Sequence, residues 1–246
     1  MRPNYYLILV SAFPLLTGAV DIKREVLAQF RQYAPEEFRE LLELHRPAPV
    51  TPQFASAIRA TLPEEGEVRH LTSDDGYKLE SISAVLRAHD REGVYLVKVV
   101  DSPQARIGLH ARFVVLVTRT ALRILSATQL QAVVAHEIGH EYVWTHYESA
   151  RTKGDSRRIR SLELYCDGIA LVTLARIGVE PETVIDALRL LESSDRRNGL
   201  APEYDSYPTL PDRADFARQI RTWLDWGGSF DQGHATRKPM KKGGKK

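Results

Sequence analysis

The chain has one cysteine, Cys166, and two methionines, Met1 and Met240. A lone cysteine excludes an internal disulfide, so stability has to come from a packed core. Only one long apolar stretch occurs, from Tyr5 to Val20, and no later segment is long and apolar enough to cross a bilayer. No internal repeat is present. What remains is the composition of a globular protein, with 246 residues and 43% hydrophobic content, enough for one sizeable core with helical additions. The formal charge of +2 misleads, because six basic residues (Arg237, Lys238, Lys241, Lys242, Lys245 and Lys246) crowd the tail and leave a body of 28 basic against 32 acidic residues. Residues 229–246 read as a basic, disordered tail able to touch a membrane surface or envelope polymer. No nucleic-acid partner is expected.

Met1 and Arg2 precede the apolar stretch, which contains Pro14 and ends at Thr17-Gly18-Ala19, a pattern like the small residues of a signal-peptidase site. Residues 1–19 are therefore expected to be a signal peptide cleaved after about Ala19, making the protein periplasmic or extracellular. An uncleaved anchor and a buried N-terminal helix are the alternatives. In 21–60 the spacing of Ile22, Val26 and Phe30, then Phe38, Leu41 and Leu42, predicts two short amphipathic helices, with Pro35 in the first turn of the second. Pro47 to Pro52 reads as a linker. Residues 61–228 form the main domain. There Asp74-Asp75-Gly76 predicts a turn, and Tyr77–Leu86 with Val94–Val100 predict a strand pair around Arg91-Glu92-Gly93. Arg112–Thr118 predicts a further strand, and Glu182–Leu191 and Asp212–Leu224 predict helices.

The chemistry concentrates in His136-Glu137-Ile138-Gly139-His140. On an α-helix, positions four apart return to within roughly 40° of each other, so both imidazoles can reach one metal while Glu137 stays free to handle protons. A tetrahedral zinc ion with two His and one further protein ligand leaves its fourth position to water, whose pKa falls to about 7. The alternative is an exposed helix with two surface histidines. Mostly apolar flanks (Gln131 to Val134, then Ile138, Val143 and Trp144) favour a buried helix, and burying those polar groups without partners would be costly. Ser126 with Gln129 forms a capping box that starts this helix about ten residues before His136.

Three residues compete as third ligand. His146 lies six residues after His140, but Val143 stands where a helix-breaking glycine would be needed, and in an unbroken helix His146 points roughly 120° away. Cys166, rotated off the relevant helix face, reads as a small buried hydrophobe. Glu163 and Asp167 are four apart and share a face, so Glu163 could bind zinc while Asp167 accepts the N–H of a liganding imidazole. The alternative for that pair is an acidic helix start, on a helix running to about Ile177 and stopped by Gly178. His45, His70, His89, His110 and His234 have no ligand spacing and read as ordinary polar residues.

Together, HExxH and Glu163-x-x-x-Asp167 resemble the gluzincin metallopeptidases of the HtpX-like and CAAX-prenyl-protease-like family. The resemblance runs from about Leu116 to Ile220 and includes Leu125 to Leu130 and Ile177 to Pro181. Where the family commonly has His-Pro followed by Arg, this chain has Tyr207-Pro208 and then Arg213. The resemblance implies a mainly helical α+β zincin-like domain with a small antiparallel or mixed sheet beside the motif helix. It implies one Zn2+ held by His136, His140 and Glu163, with Asp167 behind, and Glu137 as general base. The family's histidine is implied to stabilise the oxyanion or to block the metal at rest. Tyr207 in its place could donate to an oxyanion, with an ordinary turn aromatic as the alternative. Arg213, counted with the catalytic set, could equally pair with a carboxylate or hold the helix that follows. An extended protein or peptide substrate would pair along a strand, for which Arg112–Thr118 is the implied edge; a buried central strand is the alternative. The leading reading is an exported zinc metalloendopeptidase acting on envelope or misfolded proteins. A cytoplasmic regulatory HExxH peptidase and a non-catalytic metal-containing binding protein are the other two.

Overall fold

The computed structural model describes residues 21–62, 66, 68, 70–200 and 206–230. The expected signal segment, 1–19, lies outside them, as does the basic tail beyond Phe230. Among the described residues no helix is long and apolar enough to cross a membrane.

The chain opens with α1 (Ile22–Phe30), α2 (Pro35–Leu44) and α3 (Pro52–Thr61). Asp21 caps α1 through its side chain, Pro35 begins α2, and Thr51 caps α3 with Pro52 at the first helical position. The linker therefore ends as the start of a third helix. Next come α4 (Ser73–Ser81) and α5 (Ser83–Ala88), where the sequence reading expected a turn and a strand. Thr72 and Asp75 form a capping box, so Asp74-Asp75-Gly76 is the first turn of α4. Leu79, Ile82, Val85 and Leu86 recur at helical spacing and pack into the core, which overrides the β-turn signal of Asp-Gly.

The sheet comprises β1 (Leu96–Val100), β2 (Ile107–His110) and β3 (Val114–Thr118), in the order β1-β3-β2. β1 runs parallel to β3, and β2 antiparallel to it. The expected partner of β1 was thus wrong, and β3 is central rather than an edge. Its near-continuous apolar run suits a strand paired on both sides. The exposed edge beside the motif helix belongs to β2.

A short α6 (Arg119–Ile124) leads into α7 (Ala127–Lys153) and α8 (Ser156–Arg176), followed by α9 (Thr183–Arg197) and α10 (Leu210–Phe230). The Ser126–Gln129 capping box starts α7 as expected. Gly154, in the left-handed region at φ 64°, ends it, and Asp155 caps α8 at once. So short a connection folds α7 and α8 into an antiparallel hairpin. α8 begins seven residues before Glu163, so the acidic pair is not a helix start. Its end follows expectation: Gly178 has φ 75°, and Val179 N–H bonds the Leu174 carbonyl.

Packing places α7 in the middle. One sheet face, with Val99, Val115 and Val117, lies on Val133, Val134 and Ile138 of α7, while α3 covers the other face through Ala55, Ile58 and Leu62. Beyond α7, α8 packs on α1, α2 and α10 around Phe30, whose ring centroid lies 4.6 Å from Phe38, 5.3 Å from Tyr165 and 5.9 Å from Trp223. The result is a mainly helical α+β fold with a small mixed sheet beside the motif helix.

Candidate metal centre

Two glycines allow close packing on α8, Gly139 where α7 crosses it and Gly168 where the Phe30 ring of α1 lies on it. A Cβ on Gly139 would lie 3.0 Å from the Cα of Cys166, and one on Gly168 would lie 2.1 Å from the Phe30 ring. Gly139 sits between His136 and His140, and Cys166 between Glu163 and Asp167. This tight contact of α7 with α8 is therefore also where the four polar side chains face one another.

Glu163 bridges the imidazoles. One of its oxygens lies 3.2 Å from His136 Nε2 and the other 3.6 Å from His140 Nε2. Behind His136, Nδ1 is 2.8 Å from Asp167 Oδ1. Arg213 comes in from α10 and donates to both carboxylates, to Glu163 Oε2 at 2.8 Å and Asp167 Oδ1 at 2.9 Å. All are buried, with Glu163 and Asp167 each 1% exposed. A buried pair of carboxylates repels, and one guanidinium shared between them supplies the compensating charge and geometry.

Tyr147 is a member of this cluster that the sequence reading missed. Its ring lies 4.7 Å from that of His140, and its hydroxyl donates to Glu163 Oε1 at 2.9 Å. It is seven residues after His140 on the same unbroken helix, the spacing at which it could have been found. Tyr207 is 2.9 Å away from the Tyr147 hydroxyl. Since Tyr147 has one proton, given to Glu163, Tyr207 donates to Tyr147. α7 passes Val143 without a break, and His146 remains half-buried on its later turns. Cys166 is fully buried, and its Sγ lies 3.6 Å from His140 Nδ1.

Glu137 faces the sheet. Its Oε2 accepts the N–H of Leu109 in β2 at 3.0 Å. The donor atoms of His136, Glu137 and His140 lie within 4.8 Å of one another, so Glu137 could also reach a metal there. Glu163 could hold a metal with the imidazoles, because each of its oxygens faces one Nε2 and is oriented there by Arg213 or Tyr147, whereas Glu137 turns an oxygen to the Leu109 amide.

Charge follows this geometry among the side chains themselves. Burial pushes the Glu137 carboxyl up to about 7, Glu163 adding to the rise while His136, the Leu109 amide and Arg213 oppose it. Burial works against ionisation of His136, but Asp167 and Glu163 overcome it and raise its pKa to about 10. Burial lowers His140 to about 4. Glu163 is held well below the usual carboxylate range: burial would raise it, and His140, His136 and Arg213 outweigh that.

Away from this cluster, His89 is not the ordinary polar residue that its spacing suggested. It is buried between Tyr142 and Thr173, each 2.9 Å from a ring nitrogen.

Residues 77–157 match the model of peptidase family M48. The matched segment contains α5, the sheet, β2 against Glu137, and the HExxH motif; it ends before Glu163, Asp167, Tyr207 and Arg213. No curated protein gives a significant match.

Proposed function

We propose that this chain, an M48-family metallopeptidase by its match over residues 77–157, is a zinc-dependent endopeptidase that cleaves extended segments of other proteins outside the cytoplasm. The observation that carries the reading is Glu163, with one oxygen toward each imidazole, while Glu137 stands apart under β2. The two separations, 3.2 Å to one Glu163 oxygen and 3.6 Å to the other, put the carboxylate within ligand reach of both imidazoles for bonds near 2.0–2.1 Å. The residues therefore suit zinc held by His136, His140 and Glu163. Asp167 would fix the His136 tautomer so that Nε2 offers its lone pair. Zinc bound there would supply Lewis-acid chemistry, acidifying a water and polarising the scissile carbonyl.

The protein's own groups would do the rest. Glu137 takes the proton of the attacking water and returns it to the departing nitrogen. The Tyr207 hydroxyl would turn from Tyr147 toward the developing oxyanion and donate to it. Arg213 acts through Glu163 and Asp167 and is a positioning residue. In the register of β2 with β3, Ile107 and Leu109 direct their backbone groups off the sheet, so β2 rather than β3 is the strand on which an extended substrate would pair.

Export is supported by the N-terminal pattern of a basic residue, an apolar stretch and Thr17-Gly18-Ala19. Envelope or misfolded proteins are the substrates that follow from this location. Fractionation of cells producing the full chain tests it, and recovery of uncleaved protein in the cytoplasm alone would refute export.

The central test measures zinc content and cleavage of an unfolded protein substrate by wild type, Glu137→Gln and Glu163→Ala. Wild type should bind one zinc and cleave; Glu137→Gln should bind zinc without cleaving; Glu163→Ala should lose tight zinc. Tight, equal zinc in wild type and Glu163→Ala would overturn the ligand set. Zinc-loaded wild type that cleaves no unfolded substrate would favour a binding protein.

A further inference from the structure

The helix that carries Glu137 carries a second glutamate, this one buried, four residues on. Glu141 follows His140 directly and is 3% exposed. Positions four apart share a helix face, so Glu137 and Glu141 present two carboxylates to the β2–β3 hairpin, one turn of α7 apart. Glu137 accepts the Leu109 N–H. Glu141 accepts Arg112 from the hairpin tip at 3.2 Å.

Neutralising Glu141 does not require Arg112. Arg91 already donates to both of its oxygens, at 2.9 and 3.2 Å, and Tyr95 donates at 2.6 Å. Arg91 also bonds the Pro47 carbonyl. What Arg112 adds is location: the same terminal nitrogen reaches the Ala48 carbonyl at 2.8 Å, tying the hairpin tip to the segment before α3 as well as to α7. The tip is a poor turn by its own residues. Phe113 N–H bonds the His110 carbonyl at 3.0 Å, and Ala111 and Arg112 have φ of 51° and 56°. Such a turn favours Asn-Gly, and neither Ala nor Arg suits the left-handed region. A strained tip held by an arginine that Glu141 does not need for charge balance is a tether.

We infer that Arg112 is a positioning residue, which through Glu141 sets the register of the substrate edge β2 against Glu137. This rests on the peptidase reading for its functional consequence, although the tether itself can be measured without cleavage. The double variant Ala111→Asn/Arg112→Gly installs a favoured turn and removes only the tether, so the hairpin is retained. Ala111→Asn alone keeps the tether, and Arg112→Lys keeps a donor of the same charge.

Hydrogen exchange of the Ile107–His110 amides, melting temperature, zinc content, and kcat and KM on an unfolded protein substrate should be measured on all four proteins. The double variant should keep its zinc and melting temperature while the β2 amides exchange about tenfold faster and KM rises about tenfold, with kcat changed less than about twofold. Ala111→Asn should match wild type and Arg112→Lys should fall between. Unchanged exchange in β2 would overturn the inference. So would a parallel fall of melting temperature and kcat, which would mark Arg112 as merely structural. If wild type is zinc-loaded and inactive, the peptidase reading fails, and the exchange comparison still decides the tether.

Discussion

Gly139 of α7 and Cys166 of α8 meet so closely that a Cβ on the glycine would lie 3.0 Å from the cysteine Cα and 3.1 Å from its carbonyl oxygen. Neither neighbour is the flexible end of a side chain. The contact sets the distance between the helix that carries the imidazoles and the helix that carries Glu163. Gly139→Ala must push backbone against backbone, and although alanine is the better helix former by about 1 kcal/mol, overpacking of roughly 1–3 kcal/mol should win. Chemical denaturation should show a net loss of stability, and a competition assay should show weakened zinc binding. A stable variant with unchanged zinc affinity would mean that the helices have room to spare.

Arg213 donates to two buried carboxylates, Glu163 and Asp167. Arg213→Gln leaves His136 as the one cation against both carboxylates, and unfolding of the metal-free protein should become easier by about 3–5 kcal/mol. Denaturant titration measures this. A loss below about 1 kcal/mol would show that the carboxylates share a proton or admit water once the guanidinium is gone.

Tyr147 and Tyr207 separate two effects. Tyr147→Phe removes the hydrogen bond that orients Glu163, so zinc affinity should fall about 10–100-fold. Tyr207→Phe leaves the Tyr147–Glu163 bond in place, so zinc affinity should hold while kcat falls about 100-fold. Equal loss of metal in both variants would reduce Tyr207 to a support for Tyr147.

Acid should act on the fold through His89. Thr173 gives its hydroxyl proton to the Ile169 carbonyl and so accepts from His89 Nε2, which leaves Nδ1 to accept from Tyr142. Burial depresses the folded pKa to about 3, with Arg91, Arg46 and Arg176 contributing. Between the unfolded value near 6.5 and the folded value near 3, the unfolded chain binds the extra proton. His89's contribution is therefore complete above about pH 6.5 and is lost as the pH falls, with a limiting slope of about 1.4 kcal/mol per pH unit. Stability measured from pH 7 to 4.5 in wild type and His89→Gln should differ in slope by roughly this amount. Parallel curves would show that His89 is protonated in the fold.

Much of this architecture is legible along the chain because its signals are local. The start of α7 follows from Ser126 and Gln129, the end of α8 from Gly178, and the paired faces of His136 with His140 and Glu163 with Asp167 from helical spacing alone. The misreading of 74–86 had a local cause as well. Asp-Gly is both a turn signal and an acceptable first helical turn, and the Thr72 cap with helical spacing of Leu79, Ile82, Val85 and Leu86 decides between them. That β3 is central while β2 is the edge could not be read locally, since an apolar strand run does not say how many neighbours it has.

By itself the sequence determined which residue types could meet a metal and which helix faces would carry them, because side-chain direction on a helix is fixed by its 3.6-residue period. Only the tertiary structure decided that the two faces look at each other, since that depends on the close crossing of α7 and α8 where Gly139 meets Cys166. Tertiary packing likewise decided that Arg213 and Tyr147 hold Glu163, and that Glu137 and Glu141 grip one hairpin. Contacts between groups 16 to 50 residues apart arise from packing of separate elements, for which a linear pattern carries no period.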